Sequence, residues 1–287
     1  MANETLTTGL AGLIDEINAE ALVILQDLAG VLDVVRWIDT EGEQGKTLDF
    51  PIYGTVASSD VAQVAEGTDH TTNKAISNAD TAATVEEHVI KSTISDLSDM
   101  SVRSLAAFKQ DIAMLFGSAM KAKLEDDVVG LFGSFTQTVA GAATTMTLAH
   151  WYDAIRMVKA ANGNLMEIAA MISPKQYWGA KGLRSLLVDN SGEAKLSEEF
   201  LNKGFVTNPF GMDVLISNEI DEDVAAGGDA AGGIFTKGAI GLHTKGIISI
   251  EAERDASLRG YELVGVGRWK QIELVDLWGV YFLSDVA

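Results

Sequence analysis

The sequence predicts an α+β protein in which one domain is inserted into another. Three observations predict it: a helical periodicity sustained from residue 99 to 133, alternating helix and strand patterns between 149 and 217, and strand-like alternation from residue 248 onward. The 287 residues allow about two domains of ordinary size.

Leu13, Ile17, Ala21, Ile24, Leu25, Leu28, Leu32 and Val35 recur at three and four, so residues 13–35 read as a helix. Asp15, Glu16 and Glu20 lie near its start, where the helix dipole favours them, and Gly30 permits a break. The polar lead over residues 1–12 has no pattern to order it unless a neighbouring surface does so. Residues 47–53 alternate as a strand, and Pro51, which cannot donate to a ladder, assigns that strand to an edge. A second strand is read over 83–95 from Val85, Val89, Ile90, Thr93 and Ile94. Between them lies a stretch rich in Ser, Thr, Ala, Asn and Asp. It is about thirty residues long, more than a turn needs, so it is either mobile or packed against something outside its own domain.

Val102, Leu105, Phe108, Ile112, Leu115, Phe116, Ala119, Met120, Leu124, Val128, Leu131 and Phe132 predict a single helix over 99–133. Some 35 residues at a rise of 1.5 Å make it about 50 Å long, so it must be a spine lying across other elements or subunits. Ser98, Asp99 or Ser101 can cap its start; Lys109 with Asp111, and Lys121 and Lys123 with Glu125, Asp126 and Asp127, read as solvated flanks. Further on, 149–162 reads as a helix with Trp151, Ala154, Ile155 and Val158 on one face. Residues 166–172 read as a buried strand, and Pro174 opens a helix running to 187. Strands follow at 211–217 and 233–235. The acidic stretch 218–232, with Glu219, Asp221, Glu222, Asp223 and Asp229 and no basic residue, reads as an exposed loop. Strands from 248, over 261–269 and over 272–282 close the chain, and residues 148–232 form the inserted domain.

Composition narrows the function. Asp and Glu number 41 against 21 Lys and Arg, a net charge of −20, which repels phosphate backbones and acidic lipid. The absence of cysteine removes disulfides, thiolate catalysis and thiolate-bound metals. No signal peptide and no apolar stretch approaching a membrane span is present. Gly45-Lys46-Thr47 matches the tail of a phosphate-binding loop, but Thr40 stands where the first glycine belongs and a strand follows instead of a helix. Gly265-Val266-Gly267 lacks the third glycine of a dinucleotide fingerprint. Glu87-His88 is not a zinc motif, since Lys91 occupies the second histidine's place, and His70, His88, His150 and His243 share no ligand spacing. Asp221 and Asp223 lack the rest of a calcium loop, and no Gly-x-Ser-x-Gly elbow occurs. No catalytic, cofactor or metal site is read, and the five tryptophans and ten phenylalanines are assigned to cores and interfaces.

With chemistry absent, the order of elements carries the information. Residues 4–35, the phrase Gly45-Lys46-Thr47-Leu48-Asp49-Phe50-Pro51, Ala65-Glu66-Gly67-Thr68-Asp69, residues 116–132, and Gly241-Leu242 on to Arg254-Asp255-Ala256-Ser257-Leu258-Arg259 occur in a characteristic order. Together they resemble a major capsid protein of tailed bacteriophages over nearly the whole chain. The resemblance implies an N-terminal arm (1–45), an extended loop (46–95), a peripheral domain with the spine helix (96–147) and closing strands (233–287), and an axial domain (148–232). It implies a structural, non-enzymatic shell protein of the virion, assembled in the host cytoplasm into hexameric and pentameric capsomers around genomic DNA that it does not read by sequence. Neither a membrane nor a cofactor is involved. The first helix leads straight into the loop, without a long helical leader, which implies a separate scaffolding protein beside a portal; a decoration protein is compatible with it. Inter-subunit contacts are implied for Leu6, Leu10 and Leu13 in the arm, for Phe50, Tyr53, Glu66, Asp69 and Lys74 in the loop, and for Arg254, Asp255 and Arg259 before the closing strands. Some relatives join loops by a lysine–asparagine isopeptide bond; Lys74 with Asn73 or Asn78 lies in the corresponding region, where polar residues need no such role. The alternatives are a cellular nanocompartment shell of the same fold and a soluble enzyme or binding protein.

Overall fold

The structure, a computed structural model, describes residues 30–53, 58–69, 74–95, 105–161, 167–189, 209–224, 227–257 and 259–286. Two five-stranded sheets share one long helix, and a two-stranded ribbon projects from the first sheet.

The first sheet contains β1 (Arg36–Asp39), β4 (Glu86–Ser95), β9 (Ile240–Thr244), β10 (Ser249–Asp255) and β11 (Gly260–Glu273), in the order β1-β9-β11-β10. Residues 260–266 of β11 pair with β10 and also with β4, so β4 lies on the opposite side of that long strand. The second sheet runs β5 (Thr138–Thr145), β12 (Gly279–Asp285), β8 (Asp229–Thr236), β6 (Ile168–Ile172), β7 (Asp213–Ile216). The ribbon pairs β2 (Thr47–Tyr53) antiparallel with β3 (Asn78–Thr84). The helices are α1 (Gly30–Val34), the spine α2 (Leu105–Val129), α3 (Leu148–Ala160), α4 (Pro174–Trp178) and α5 (Leu183–Asp189).

The described spine is 25 residues, about 37 Å at the helical rise. Its buried row is Ile112, Phe116, Met120, Leu124 and Val128, one residue per turn. Leu115, expected on that stripe, is 65% exposed, because it stands about 100° round the helix from Phe116. Ile112, Ala113 and Phe116 pack on Ile250 and Leu263 of the first sheet. Met120, Leu124 and Val128 join Leu242 and Trp269 of the first sheet with Ala169, Met171 and Phe235 of the second. Over its described part the spine reading holds, since one helix forms a core with both sheets; residues 99–104 of the predicted helix, with the cap candidates Ser98, Asp99 and Ser101, lie outside the described residues. The helix stops short of residue 133 because Gly130 and the 3-10 turn Phe132–Ser134 redirect the chain. That turn sets Phe132 against Phe235, with ring centroids 5.4 Å apart, and against Gly233, where an added Cβ would lie 2.8 Å from the Phe132 ring.

The helix flanks are less solvated than their sequence suggests. Asp127 accepts the Trp269 indole N–H at 2.9 Å and the Lys123 ammonium at 2.8 Å, while the His88 ring stacks on Trp269 at 4.0 Å. Glu125 is buried and accepts the Ser217 hydroxyl at 2.7 Å.

In the second sheet β6 reads Ile-Ala-Ala-Met-Ile and is wholly buried, as a strand covered on both faces should be. Ile168, Ala170 and Ile172 face Trp151, Ala154 and Val158 of α3; Ala169 and Met171 face the spine's cluster. The helix expected over 174–187 is broken in two. A capping box between Ser173 and Gln176 starts α4, but Gly179 and Gly182 approach the backbone of residues 175 and 176 so closely that a Cβ would lie 2.4 and 2.7 Å from carbonyl oxygens.

Four further expectations are corrected. The strand read over 83–95 is two strands that change partner at Val85, whose N–H is held by the Lys46 carbonyl at 2.9 Å. The acidic stretch 218–232 is not all loop: Asp229 is buried at the start of β8 and accepts the Ala143 N–H at 2.8 Å. The strand expected over 272–282 is interrupted by the turn Asp276–Trp278, which passes the chain from one sheet to the other. Consequently β5 and β12, grouped by sequence with the peripheral domain, belong to the same sheet as β6 and β7. Of the helix expected over 13–35, residues 13–29 lie outside the described residues.

The buried row gives a direct test by denaturant unfolding. Leu124→Ala should cost about 2–5 kcal/mol of subunit stability, whereas Leu115→Ala should change it by no more than about 0.5 kcal/mol. Equal costs would show that the packed face has been misassigned.

Candidate assembly surfaces

Among the described residues, the ribbon is anchored at its root. Phe50 is fully buried together with Ala83; the Arg36 guanidinium lies 5.6 Å from the Phe50 ring centre and donates to the Pro51 carbonyl at 3.3 Å. His243, itself buried, faces the Ala83 carbonyl through Nδ1 at 3.0 Å and the Thr40 hydroxyl through Nε2 at 2.8 Å. A carbonyl can only accept, so Nδ1 carries a proton. Thr47 and Thr84 close the root with a hydroxyl pair at 2.8 Å.

Beyond the root, support disappears. Tyr53 is 67% exposed, Ile76 66% and Val61 77%, and every residue from 61 to 69 is exposed. Residues 65–68 form a turn closed by the Thr68 N–H on the Ala65 carbonyl at 3.1 Å, with Gly67 at φ +78°, a conformation that suits glycine at the third position of a type II turn. Lys74 pairs with Asp60 at 2.9 Å across the loop, and the Asn78 amide donates to Asp80 at 2.9 Å.

The residues expected at inter-subunit contacts divide accordingly. Tyr53, Glu66, Asp69 and Lys74 are exposed on the ribbon and its loop. Arg254, Asp255 and Arg259 sit at the hairpin joining β10 to β11. There Asp255 accepts the Ser257 N–H at 2.7 Å, and Arg259 takes a left-handed φ of 47° to make the turn. These are two separate projections. Phe50 is withdrawn from the contact set, because its ring is spent on the chain's own interior. Leu6, Leu10 and Leu13 lie outside the described residues.

Sequence reading missed other exposed apolar side chains: Met114 on the spine, Val89 on β4, and Trp178 and Ile216 on the second sheet's flank. Scattered exposed apolar residues are normal, so the concentration along one unsupported ribbon is the informative part. Gly45 and Lys46 lead into β2, which begins at Thr47, so a strand follows this stretch as expected. Among the described residues, no three His, Asp or Glu side chains converge to hold a metal, and no helix is long and apolar enough to cross a membrane.

A groove at the end of β6 and β7 is lined by Pro174, Lys175, Trp178, Asn218 and Glu222. Partial burial pushes the Glu222 carboxyl up, but the Lys175 backbone N–H at 3.0 Å and ammonium at 3.0 Å outweigh it and hold the carboxyl below its ordinary value.

A helix packed on two sheets beside a ribbon whose described outer residues are exposed is the geometry that recurs in phage capsid proteins. The chain belongs to the phage capsid protein family, whose sequence profile matches residues 78–273. Among solved structures it is similar to that of Mycobacterium phage Che8, with 17% identity, TM-score 0.60, and 83% of this chain and 85% of that one covered. The capsid of cyanophage P-SCSP1u matches with 17% identity, TM-score 0.61 and coverage of 88% and 86%. A virus-like particle from Pyrococcus furiosus matches with 13% identity, TM-score 0.57 and coverage of 94% and 98%. No curated protein matches the sequence. The fold is that of tailed-phage major capsid proteins, and the chain is a structural shell protein of the capsid.

Two outcomes are expected. Phe50→Ala should cost the isolated subunit about 3–5 kcal/mol, while Tyr53→Ala should leave its unfolding curve within about 0.5 kcal/mol of wild type. Glu222, ionised more readily in the folded chain, contributes stability that is present above its ordinary value of 4.5 and is lost as pH falls through the lower folded value. Glu222→Gln should therefore reduce the drop in stability between neutral and acid pH, measured by urea midpoints; an unchanged drop would remove this role.

Proposed function

We propose that this chain is the major capsid protein of a tailed phage, tiling an icosahedral head as pentamers and hexamers around double-stranded DNA. The single observation that carries the reading is the ribbon. Its root is built into the subunit through Phe50, Arg36 and His243, while its outer half exposes Tyr53, Val61 and Ile76. A sister subunit that covers those side chains stabilises both partners, and repetition of one such contact gives a closed assembly where the rotation between copies closes. The net charge of −20 fits a container that does not adsorb the DNA packed inside it. A separate scaffolding protein and a portal direct assembly in the host cytoplasm, and the shell expands as DNA enters. The chain has no catalytic part in this.

A nanocompartment shell is the second reading, favoured by the near-complete overlap with the Pyrococcus furiosus particle. The match of the phage capsid family over residues 78–273 weighs for the phage head.

Expression of the chain with the scaffolding protein from its gene neighbourhood, followed by electron microscopy, tests the proposal. Closed shells should form; shells filled with cargo protein and devoid of DNA during infection would transfer the assignment to the second reading. Deleting residues 1–12, or shortening 54–79, should reduce shell yield far more than it changes the subunit's circular dichroism. Unchanged yield after both deletions would refute the proposal that these segments bind neighbours.

A further inference from the structure

The chain has 41 acidic against 21 basic residues, yet cations gather where the ribbon joins the first sheet. A cavity of about 400 Å³ there is bounded by Lys46, Glu86, Glu87, Lys245 and Arg268. Its two carboxylates are already matched: Glu86 by Lys270 at 2.5 Å and Glu87 by Arg268 at 3.3 Å. Lys245 gives two of its three ammonium hydrogens to the carbonyls of Glu43 and Gly45, leaving one. Lys46 makes no ion pair among the described residues. Glu41 and Glu43 stand on the adjoining turn, outside the lining. Two positive charges thus border the cavity without a carboxylate of their own.

The far end of the same ribbon has the opposite character. No Lys or Arg occurs between Lys46 and Lys74. Residues 61–69 are exposed, and the turn at Gly67 sets Glu66 and Asp69 on a short span beside Val61 and Val64; neither carboxylate has an ion pair among the described residues. One molecule therefore presents an anionic, partly apolar tip and a cationic cavity at different places. Complementary surfaces at different places on one chain join head to tail, and such contacts form rings where the rotation between copies closes.

Building on the shell reading, we propose that the cavity at the ribbon's root receives Glu66 and Asp69 from the ribbon of a second copy. Lys46 and the remaining hydrogen of Lys245 donate to the two carboxylates, and Val61 and Val64 are covered alongside. Hydrogen bonds of this kind between ionised partners are stronger than neutral ones and fix the register of the contact. Their partial exposure makes the contact sensitive to salt.

Charge exchange in the full chain, expressed with its scaffolding protein, tests this. Lys46→Glu, Glu66→Lys and Asp69→Lys, each alone, should lower shell yield about tenfold or more, with circular dichroism and subunit unfolding unchanged. Combining Lys46→Glu with one of the two tip reversals should restore the yield to within about twofold. Carbodiimide treatment of wild-type shells built from isotopically light and heavy subunits should join Lys46 or Lys245 to Glu66 or Asp69 across chains. Full yield from the single reversals, or no recovery in either combination, would overturn the docking while wild-type shells leave the shell reading intact. Folded wild-type subunits that form no shells at all would overturn the shell reading and this contact with it.

Discussion

The buried row on the spine helix is the constraint on which the rest depends. Ile112 and Phe116 belong to a core with the first sheet, while Met120, Leu124 and Val128 belong to one that includes both sheets. Close packing makes such a helix a rigid tie, since interiors resist the voids that relative motion would open. Asp127 reinforces the tie at the helix's last turns. It accepts the buried Trp269 indole, and its hydrogen bond to Lys123, helped by Asp126, holds that lysine's pKa above its ordinary value. A buried donor matched in this way stabilises mainly because leaving the indole N–H unpaired would cost more than the bond itself returns.

A rigid body with an anchored projection is a sound design for a shell subunit. Phe50 and Ala83 commit the ribbon's root to the subunit's interior, so the ribbon leaves the body in a defined direction. The outer half contributes nothing to that interior. Its exposed side chains add little to the stability of the free subunit, and covering them by a neighbour, as proposed, would be favourable. Acidity works beside this, since exposed charge keeps free subunits soluble without opposing contacts in which charges are matched.

The sequence revealed the parts whose signals are local. The apolar spacing from Ile112 to Val128, the proline at 174 within a capping box, and the apolar run at 168–172 each specify their element through neighbours a few residues away. It could not reveal choices that depend on remote partners. Residues 78–84, Asn-Ala-Asp-Thr-Ala-Ala-Thr, have little strand character and become β3 because β2 lies alongside. Phe50 was placed at a contact only by the family resemblance, and its strand pattern does not show where the ring goes; in the fold it is buried with Ala83 beside the Arg36 guanidinium. The aspartate at 229 carried the composition of a loop but is enclosed once Ala143 supplies an N–H.

By itself the sequence determined that this is an α+β chain with a spine helix and a long extended loop, because periodicity and proline placement are properties of neighbouring residues. The tertiary structure alone decided that the last strand leaves the first sheet for the second, that β5 joins it there, and that two lysines meet at the root of the ribbon. Those outcomes rest on hydrogen-bond and charge partners brought together from scores or hundreds of residues apart, and no local pattern encodes which strand edge a passing segment will find.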